Sequence, residues 1–253
     1  MSQSVTIKRI GFANVITLNR PEARNAVNPE AAAELKTAFL AGEAEADIRV
    51  HILTGADGNF SAGADLKAVA SGAEFKTTAP MGPSWLELTK PSIAAVEGHA
   101  VAGGLELAIM CDLRIAAQNA VFGVYCRRWG VPLVDGGTVR LPRLIGQSRA
   151  MDMILTGRAV GADEALSFGL ANRVVPEGES LTAALKIAEE IAAFPQDCLR
   201  NDRASAMTQW AMPMDEALQN ENVLGLKSLQ AGAASGAARF ASGKGRSGDF
   251  SDI

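Results

Sequence analysis

Ser92-Ile93-Ala94-Ala95-Val96-Glu97-Gly98-His99-Ala100-Val101-Ala102-Gly103-Gly104-Leu105-Glu106-Leu107-Ala108-Ile109-Met110-Cys111 reads as a strand, a glycine-rich bend and a helix carrying one acid. Residues 92–96 make a short apolar run ending near Gly98, the pattern of a strand buried on both faces. Gly103 and Gly104 stand where the helix begins, so their N–H groups have no intrahelical partner. With no side chain in the way, a ligand oxygen can approach that backbone, and the helix dipole favours negative charge there. Glu106 follows Gly103 by about one turn and shares its face. A carboxylate beside an oxyanion-binding helix start suits proton transfer at a carbon next to a carbonyl. The competing reading is architectural: the glycines permit close packing, and Glu106 is a first-turn acid favoured by the dipole.

Working outward, similar units flank this stretch. Val5–Ile10 and Val15–Leu18 are β-rich with Gly11 between them. Asn28 and Pro29 supply an N-cap and a first-turn proline for an Ala-rich helix to about residue 46. Val50–Thr54 is a further strand, running into the turn cluster Gly55-Ala56-Asp57-Gly58, and 113–116 and 121–124 are short strands. The alternation predicts an α/β domain with repeated crossovers. Beyond Gly161 the pattern becomes helical, over about 163–169, 181–194, 197–209, 213–231 and 234–241, with one strand at 172–175. Residues 72–83 lack a pattern and read either as a mobile loop near a site or as a surface connection. The Gly/Ser-rich stretch 242–253 reads as loosely held unless a neighbouring subunit pins it.

Composition narrows the function. The 253 residues carry 24 Lys plus Arg against 28 Asp plus Glu, a net charge of −4, with three Trp, one Tyr and nine Phe. That balance disfavours a nucleic-acid partner, which calls for a basic surface and stacking aromatics. No apolar run approaches the ~20 residues that span a bilayer, and the first residues lack the layout of a signal peptide, so no membrane partner is expected. Three cysteines without metal spacing fit a reducing compartment, and a cytoplasmic location is expected. With only two histidines, zinc sites and Ser-His-acid arrangements are hard to assemble, and no metal site is expected. The G-x-G-x-x-G fingerprint is missing after the strand, Gly243-Lys244 is followed by Gly245, and Gly146-Gln147-Ser148-Arg149-Ala150 lacks the final glycine of a nucleophile elbow.

The chain also carries Phe60-Ser61-Ala62-Gly63-Ala64-Asp65-Leu66, Asn19-Arg20-Pro21-Glu22-Ala23-Arg24-Asn25-Ala26, Cys111-Asp112, Gly136-Gly137-Thr138-Val139-Arg140-Leu141-Pro142 and Leu155-Thr156-Gly157-Arg158. Together with residues 95–108 and 165–175, these closely resemble the crotonase (enoyl-CoA hydratase/isomerase) superfamily over most of the chain and in the family's order. The resemblance implies an α/β spiral of ββα repeats over 1–195 and a C-terminal helical trimerisation region over 196–253. It implies an acyl-CoA thioester substrate, coenzyme A being part of the substrate rather than a separate cofactor, and a homotrimer or a dimer of trimers. It assigns the oxyanion hole to the N–H groups of Ala64 and Gly103, and CoA binding to Ala23, Arg24, Ala62, Asp65 and Leu66, with Arg24 a phosphate partner.

The resemblance also exposes a departure. Family hydratases use two glutamates; Glu106 matches the first, and Cys126 stands at the second position. A thiol does not replace a carboxylate without a different proton balance. Asp135 is the substitute candidate as a second catalytic acid, its competing role being to cap the helix that starts near Gly137. Arg127 and Arg128 either pair with Asp135 or face solvent. Cys126, His99, His51, Asp65 and Asp112 each have a structural reading as well: filler, packing, core, helix cap and helix end. Lys244 and Phe240 fall in a stretch that in relatives can touch CoA from an adjacent subunit. The leading expectation is enoyl-CoA hydration with Glu106 as acid/base. The alternatives are Δ3,Δ2-enoyl-CoA isomerisation, which needs mainly one base, and a non-catalytic acyl-CoA binder.

Overall fold

The computed structural model describes residues 3–76 and 78–246. Two strands, β1 (Val5–Ile10) and β2 (Ala13–Leu18), form an antiparallel hairpin turning at Gly11, whose φ of +56° suits glycine. Helix α1 (Pro29–Ala44) starts as its sequence dictates: the Asn28 side chain accepts the Ala31 N–H, and Pro29 occupies the first turn. There follow β3 (Val50–Gly55), the short α2 (Leu66–Ala70), β4 (Ser92–Val96), β5 (His99–Val101), α3 (Gly103–Met110), β6 (Leu113–Ala117) and β7 (Val121–Gly123). Next come α4 (Gly137–Ile145), α5 (Gln147–Thr156), β8 (Val160–Gly161), α6 (Ala162–Phe168), β9 (Arg173–Val175) and α7 (Ser180–Ala193). The C-terminal helices are α8 (Gln196–Thr208), α9 (Met214–Ser228) and α10 (Ala234–Ala241).

The strands divide between a six-stranded sheet ordered β1-β2-β3-β4-β6-β9 and a three-stranded sheet ordered β5-β7-β8. Each turn of the spiral lays one strand in the large sheet, bends, and pairs a shorter segment in the small sheet. β4 and β5 make one such turn before α3, and β6 and β7 make the next. β5 pairs β7 in parallel, and a parallel bridge joins Ser61 to Ala100, so the turn before β4 joins the same stack. Alternation along the large sheet separates two cores, because successive side chains point to opposite faces. Ile16, Leu18, Leu53, Ala94, Val96 and Ala116 face α1, α3 and the small sheet, whereas Val15, Ile52, Ile93, Ala95 and Ile115 face Ala184, Ile187 and Ala188 of α7. Glu97, in the bend after β4, reaches the start of α7 and accepts the Gly178 and Ser180 N–H groups.

Two elements depart from the sequence pattern, and the C-terminal helices bury none of their side chains. α5 follows α4 across Gly146 as a separate helix that periodicity had not marked. The expected break between 231 and 234 is instead a wide π-helical turn over Leu229–Ala233, so α9 runs on into α10. In α8–α10 no residue is buried, and Met207, Trp210, Met214, Leu218, Val223, Leu226, Leu229 and Phe240 are exposed. The expectation for the tail holds no test beyond residue 246, since 247–253 lie outside the described residues.

A buried polar knot ties α1 to the sheet. Asn14 Nδ2 donates to Ala38 O and contacts His51 Nδ1 at 3.1 Å, which makes Nδ1 the acceptor and leaves Nε2–H to donate to Glu43 Oε1 at 2.9 Å. Glu43 also accepts from Thr89 N, Thr89 Oγ1 and Lys90 N, joining the segment before β4 to the end of α1. Burial alone would raise the Glu43 carboxyl, but the hydrogen bonds from His51 and Thr89 outweigh it and hold the group at about 2. A depressed carboxyl stabilises the fold above its unfolded value and loses that contribution as pH falls through the folded value. Glu43→Gln is expected to lower stability at pH 7 by about 1–3 kcal/mol. Urea unfolding across pH should show that deficit shrinking steadily from pH 4.5 toward pH 2.

Candidate active site

The stacked turns bring distant loops together. Ser61 N donates to His99 O at 2.8 Å and Val101 N to Ser61 O at 3.0 Å, so the chain leaves the small sheet at 62–64 and at 102–103 side by side. The approach is tight. A Cβ on Gly63 would lie 2.6 Å from Gly103 N, and one on Gly104 would lie 2.2 Å from Ser61 O. Ala102 bends the backbone with φ of +54° and ψ of −125°, a sparsely populated region that costs an L-residue about 1–3 kcal/mol. Among the described residues, neither the Ala64 nor the Gly103 amide donates to a protein acceptor.

Glu106 sits one turn into α3 and is 2 % exposed. Its Oε1 accepts the Asp135 N–H and the Gly137 N–H, each at 2.8 Å. Gly137 opens α4, so the glutamate satisfies an amide that the helix leaves orphaned. A Cβ on Gly137 would come within 2.9 Å of that oxygen, so glycine is needed for the contact. Burial pushes the Glu106 carboxyl up to about 7, against the pull of the two amides and of Arg140, with the Asp135 charge adding to the rise. Cys126 is buried, and burial first and the Glu106 charge second push its thiol up.

Asp135 is also buried, and it does not cap α4: Gly136 holds the cap position without a side-chain bond. The Asp135 carboxylate instead accepts the Met81 N–H at 3.0 Å and the Ser84 hydroxyl. Neither candidate arginine partner reaches it. Arg127 Nε donates to Ile154 O and Arg128 stacks on Tyr125, whereas Arg140 Nη1 donates to the Asp135 carbonyl at 2.9 Å. The end of the 72–83 stretch therefore belongs to the site. Met81 is buried, its sulfur so near Gly103 that a Cβ there would be 2.5 Å away. Sequence reasoning passed over Met81 and Ser84; the only available signal was an apolar residue and a hydroxyl inside an otherwise patternless loop.

The CoA candidates gather on the neighbouring surface. Ala62 N donates to Arg24 O at 3.0 Å, Val27 N to Gly63 O at 2.7 Å and Asp65 N to Val27 O at 2.9 Å, stitching 23–27 to 62–66. Arg24 and Leu66 are exposed, and Ala23 and Ala62 are half-buried. The Asp65 side chain is occupied within the protein: Oδ1 caps α2 through Lys67 N and Ala68 N, and Oδ2 accepts from Arg20 Nη2 at 2.9 Å. His99 contacts Asn59 through Nδ1 rather than by packing alone, and Asp112, just past the end of α3, accepts from Ser92 and Arg203. Lys244 and Phe240 line a separate cavity with Ala193, Pro195, Gly236 and Arg239, bounded by the end of α7 and by α10. Among the described residues no group of three or more His, Cys, Asp or Glu is placed to hold a metal ion, and no helix is long and apolar enough to cross a membrane.

The fold is that of the crotonases. The structure matches the enoyl-CoA hydratase EchA1 from Mycobacterium marinum with a TM-score of 0.91 and 34% identity, covering 95% of this chain and 96% of that one. The sequence profile of the enoyl-CoA hydratase/isomerase family matches residues 12–242, and the chain belongs to that family. It is 39% identical over 231 residues to the enoyl-CoA hydratase EchA19 of Mycobacterium tuberculosis, covering 87% of this chain and 86% of the relative. It is 37% identical over 223 residues to the carnitinyl-CoA dehydratase of Escherichia coli K12, covering 86% and 85%. It is an enzyme of the enoyl-CoA hydratase family, and relatives bearing hydratase and dehydratase names support a hydratase-like function.

A buried acid with a raised value costs stability when it ionises, so its effect runs opposite to that of Glu43. The folded state holds the Glu106 proton longer than the unfolded chain does, and stability falls as pH rises from about 4.5 to about 7. Glu106→Gln keeps an acceptor for both amides and removes the charge. It is expected to match wild type in denaturant midpoint at pH 4.5 and to exceed it at pH 8, by an amount on the order of 3 kcal/mol at most.

Proposed function

We propose that this protein is an enoyl-CoA hydratase-type enzyme in which the Ala64 and Gly103 amides hold the thioester oxygen and Glu106 is the acid/base. The single observation that carries this reading is the conjunction of two unclaimed amides on touching loops with a buried carboxyl held near neutral one turn away. As the substrate carbonyl gains enolate character, charge develops where the amides point, and such a donor is worth about 3–4 kcal/mol. Glu106 as carboxylate takes a proton from water while the oxygen adds to C3, then returns it to C2; atoms balance as one water added across the double bond. A value near 7 lets the same group accept and release that proton at neutral pH.

The CoA portion, part of the substrate, is assigned to the surface formed by Ala23, Arg24, Ala62, Asp65 and Leu66. There Arg24 supplies the charge, and Asp65 acts through the shape of the loop. The exposed apolar face of α8–α10 supports assembly of the chain into a homotrimer or a dimer of trimers.

Cys126 favours a second reading. Burial keeps it a neutral thiol, and the Asp135 carboxylate is engaged by Met81 and Ser84, so Glu106 has no evident partner for orienting water. Moving a proton between C2 and C4 of a 3-enoyl-CoA requires one base only. Ultraviolet absorbance of the conjugated thioester separates the two: loss with crotonyl-CoA is expected for hydration, gain with a 3-enoyl-CoA for isomerisation. Glu106→Gln should lower either rate by about 10²–10⁴-fold. Binding of acyl-CoA with no turnover, unchanged by that substitution, would overturn both.

A further inference from the structure

Asp135 uses nearly every polar group it has on other parts of the protein. Its N–H donates to Glu106 Oε1, and its carboxylate oxygen Oδ1 accepts the Met81 N–H and the Ser84 hydroxyl. Its carbonyl accepts from Arg140 Nη1, and Arg140 Nη2 donates to Ser84 O at 2.6 Å. Ser84 is thereby gripped twice, by hydroxyl and by carbonyl, and both it and Met81 are buried. Between the two clamped residues, Gly82 packs so closely on α1 that a Cβ would stand 2.1 Å from the Ala32 carbonyl oxygen, which fixes the path of the segment from its other side. The result is one rigid connection: segment 81–84, Asp135, Glu106. It presses Met81 against Gly103.

We propose that Asp135 is a positioning residue, which holds segment 81–84 closed beside the Gly103 amide and transmits its placement to Glu106, rather than a second proton-transfer group. This rests on the reading of Glu106 and Gly103 given above. Each bond made by Oδ1 needs an acceptor and not a charge, so an amide oxygen serves equally. The charge has a separate effect. It adds to the rise of the Glu106 carboxyl, so removing it moves the Glu106 titration to lower pH.

Two substitutions separate the roles. Asp135→Asn keeps the acceptor and removes the proton; Asp135→Ala removes both. Hydrogen exchange at the Met81 amide reads the clamp without any turnover, and it is expected to stay slow in Asp135→Asn and to become at least tenfold faster in Asp135→Ala. With the enoyl-CoA that wild type turns over, Asp135→Ala should lose about tenfold or more in kcat/KM, with kcat falling as Glu106 loses its placement. Asp135→Asn should recover most of that loss, with the rising limb of its pH profile displaced to lower pH. Ser84→Ala, which deletes one hydroxyl, serves where Asp135→Ala does not fold, and should speed Met81 exchange to a smaller extent. If Asp135→Asn is as inactive as Glu106→Gln while Met81 exchange stays slow, Asp135 transfers protons and the proposal fails. Unchanged Met81 exchange in Asp135→Ala overturns the clamp itself. Absence of turnover in wild type would instead overturn the reading of the site, with the exchange measurement still judging the clamp.

Discussion

The parallel register of the short strands is the constraint on which the site depends. Because Ser61 pairs with Ala100 and His99 with Val121, successive turns of the chain reach the same height before they leave the sheet. Loops separated by about forty residues then emerge as neighbours, so close that a Cβ on Gly63 would lie 2.6 Å from Gly103 N. A slip of one residue would turn each set of side chains to the opposite face. Ala100, Phe122 and Val160, which the small sheet buries in the core shared with α1 and α3, would then turn away from it, which is why the register holds. The geometry available for catalysis is a by-product of sheet packing.

Close approach is the second requirement, and glycine supplies it. Gly63, Gly103, Gly104 and Gly137 each lie where a methyl group would meet backbone, Met81 or the acid. Each therefore permits a close approach that a side chain would block: loop against loop, helix start against loop, helix start against carboxylate. Burying a carboxylic acid in such a place is costly unless it is paired or kept protonated. The structure does some of each, with two amides on one oxygen of Glu106 and a proton affinity raised to near neutrality. Its titration then falls within the range in which cells operate, as acid/base chemistry at neutral pH requires.

Cys126 and Asp135 show how chemistry can be redistributed within one fold. Where the family resemblance implies a second glutamate, this chain holds a buried thiol, and an acid stands in the loop before α4. That acid is not simply displaced by a few residues. Its carboxylate faces segment 81–84, and its main chain faces Glu106. Its influence on the reaction passes through the placement of other groups.

Much of the fold was legible in local pattern. The strands at 5–10, 50–55 and 92–96, the Asn28 cap and the helix bearing Glu106 follow from alternation, capping chemistry and glycine placement, all of which act over a few residues. Motif resemblance pointed to the family and to the loops around Ala64 and Gly103. The partners of Asp135 were not legible. They lie 54 and 51 residues away in a stretch without periodicity, and no short-range rule says where such a loop returns. Nor could composition distinguish an acid that caps a helix from one that holds a loop, since both tasks require the same oxygen. The residue types and their local conformations are written along the chain; which buried donors meet which acceptors was decided only when packing brought the turns of the spiral together.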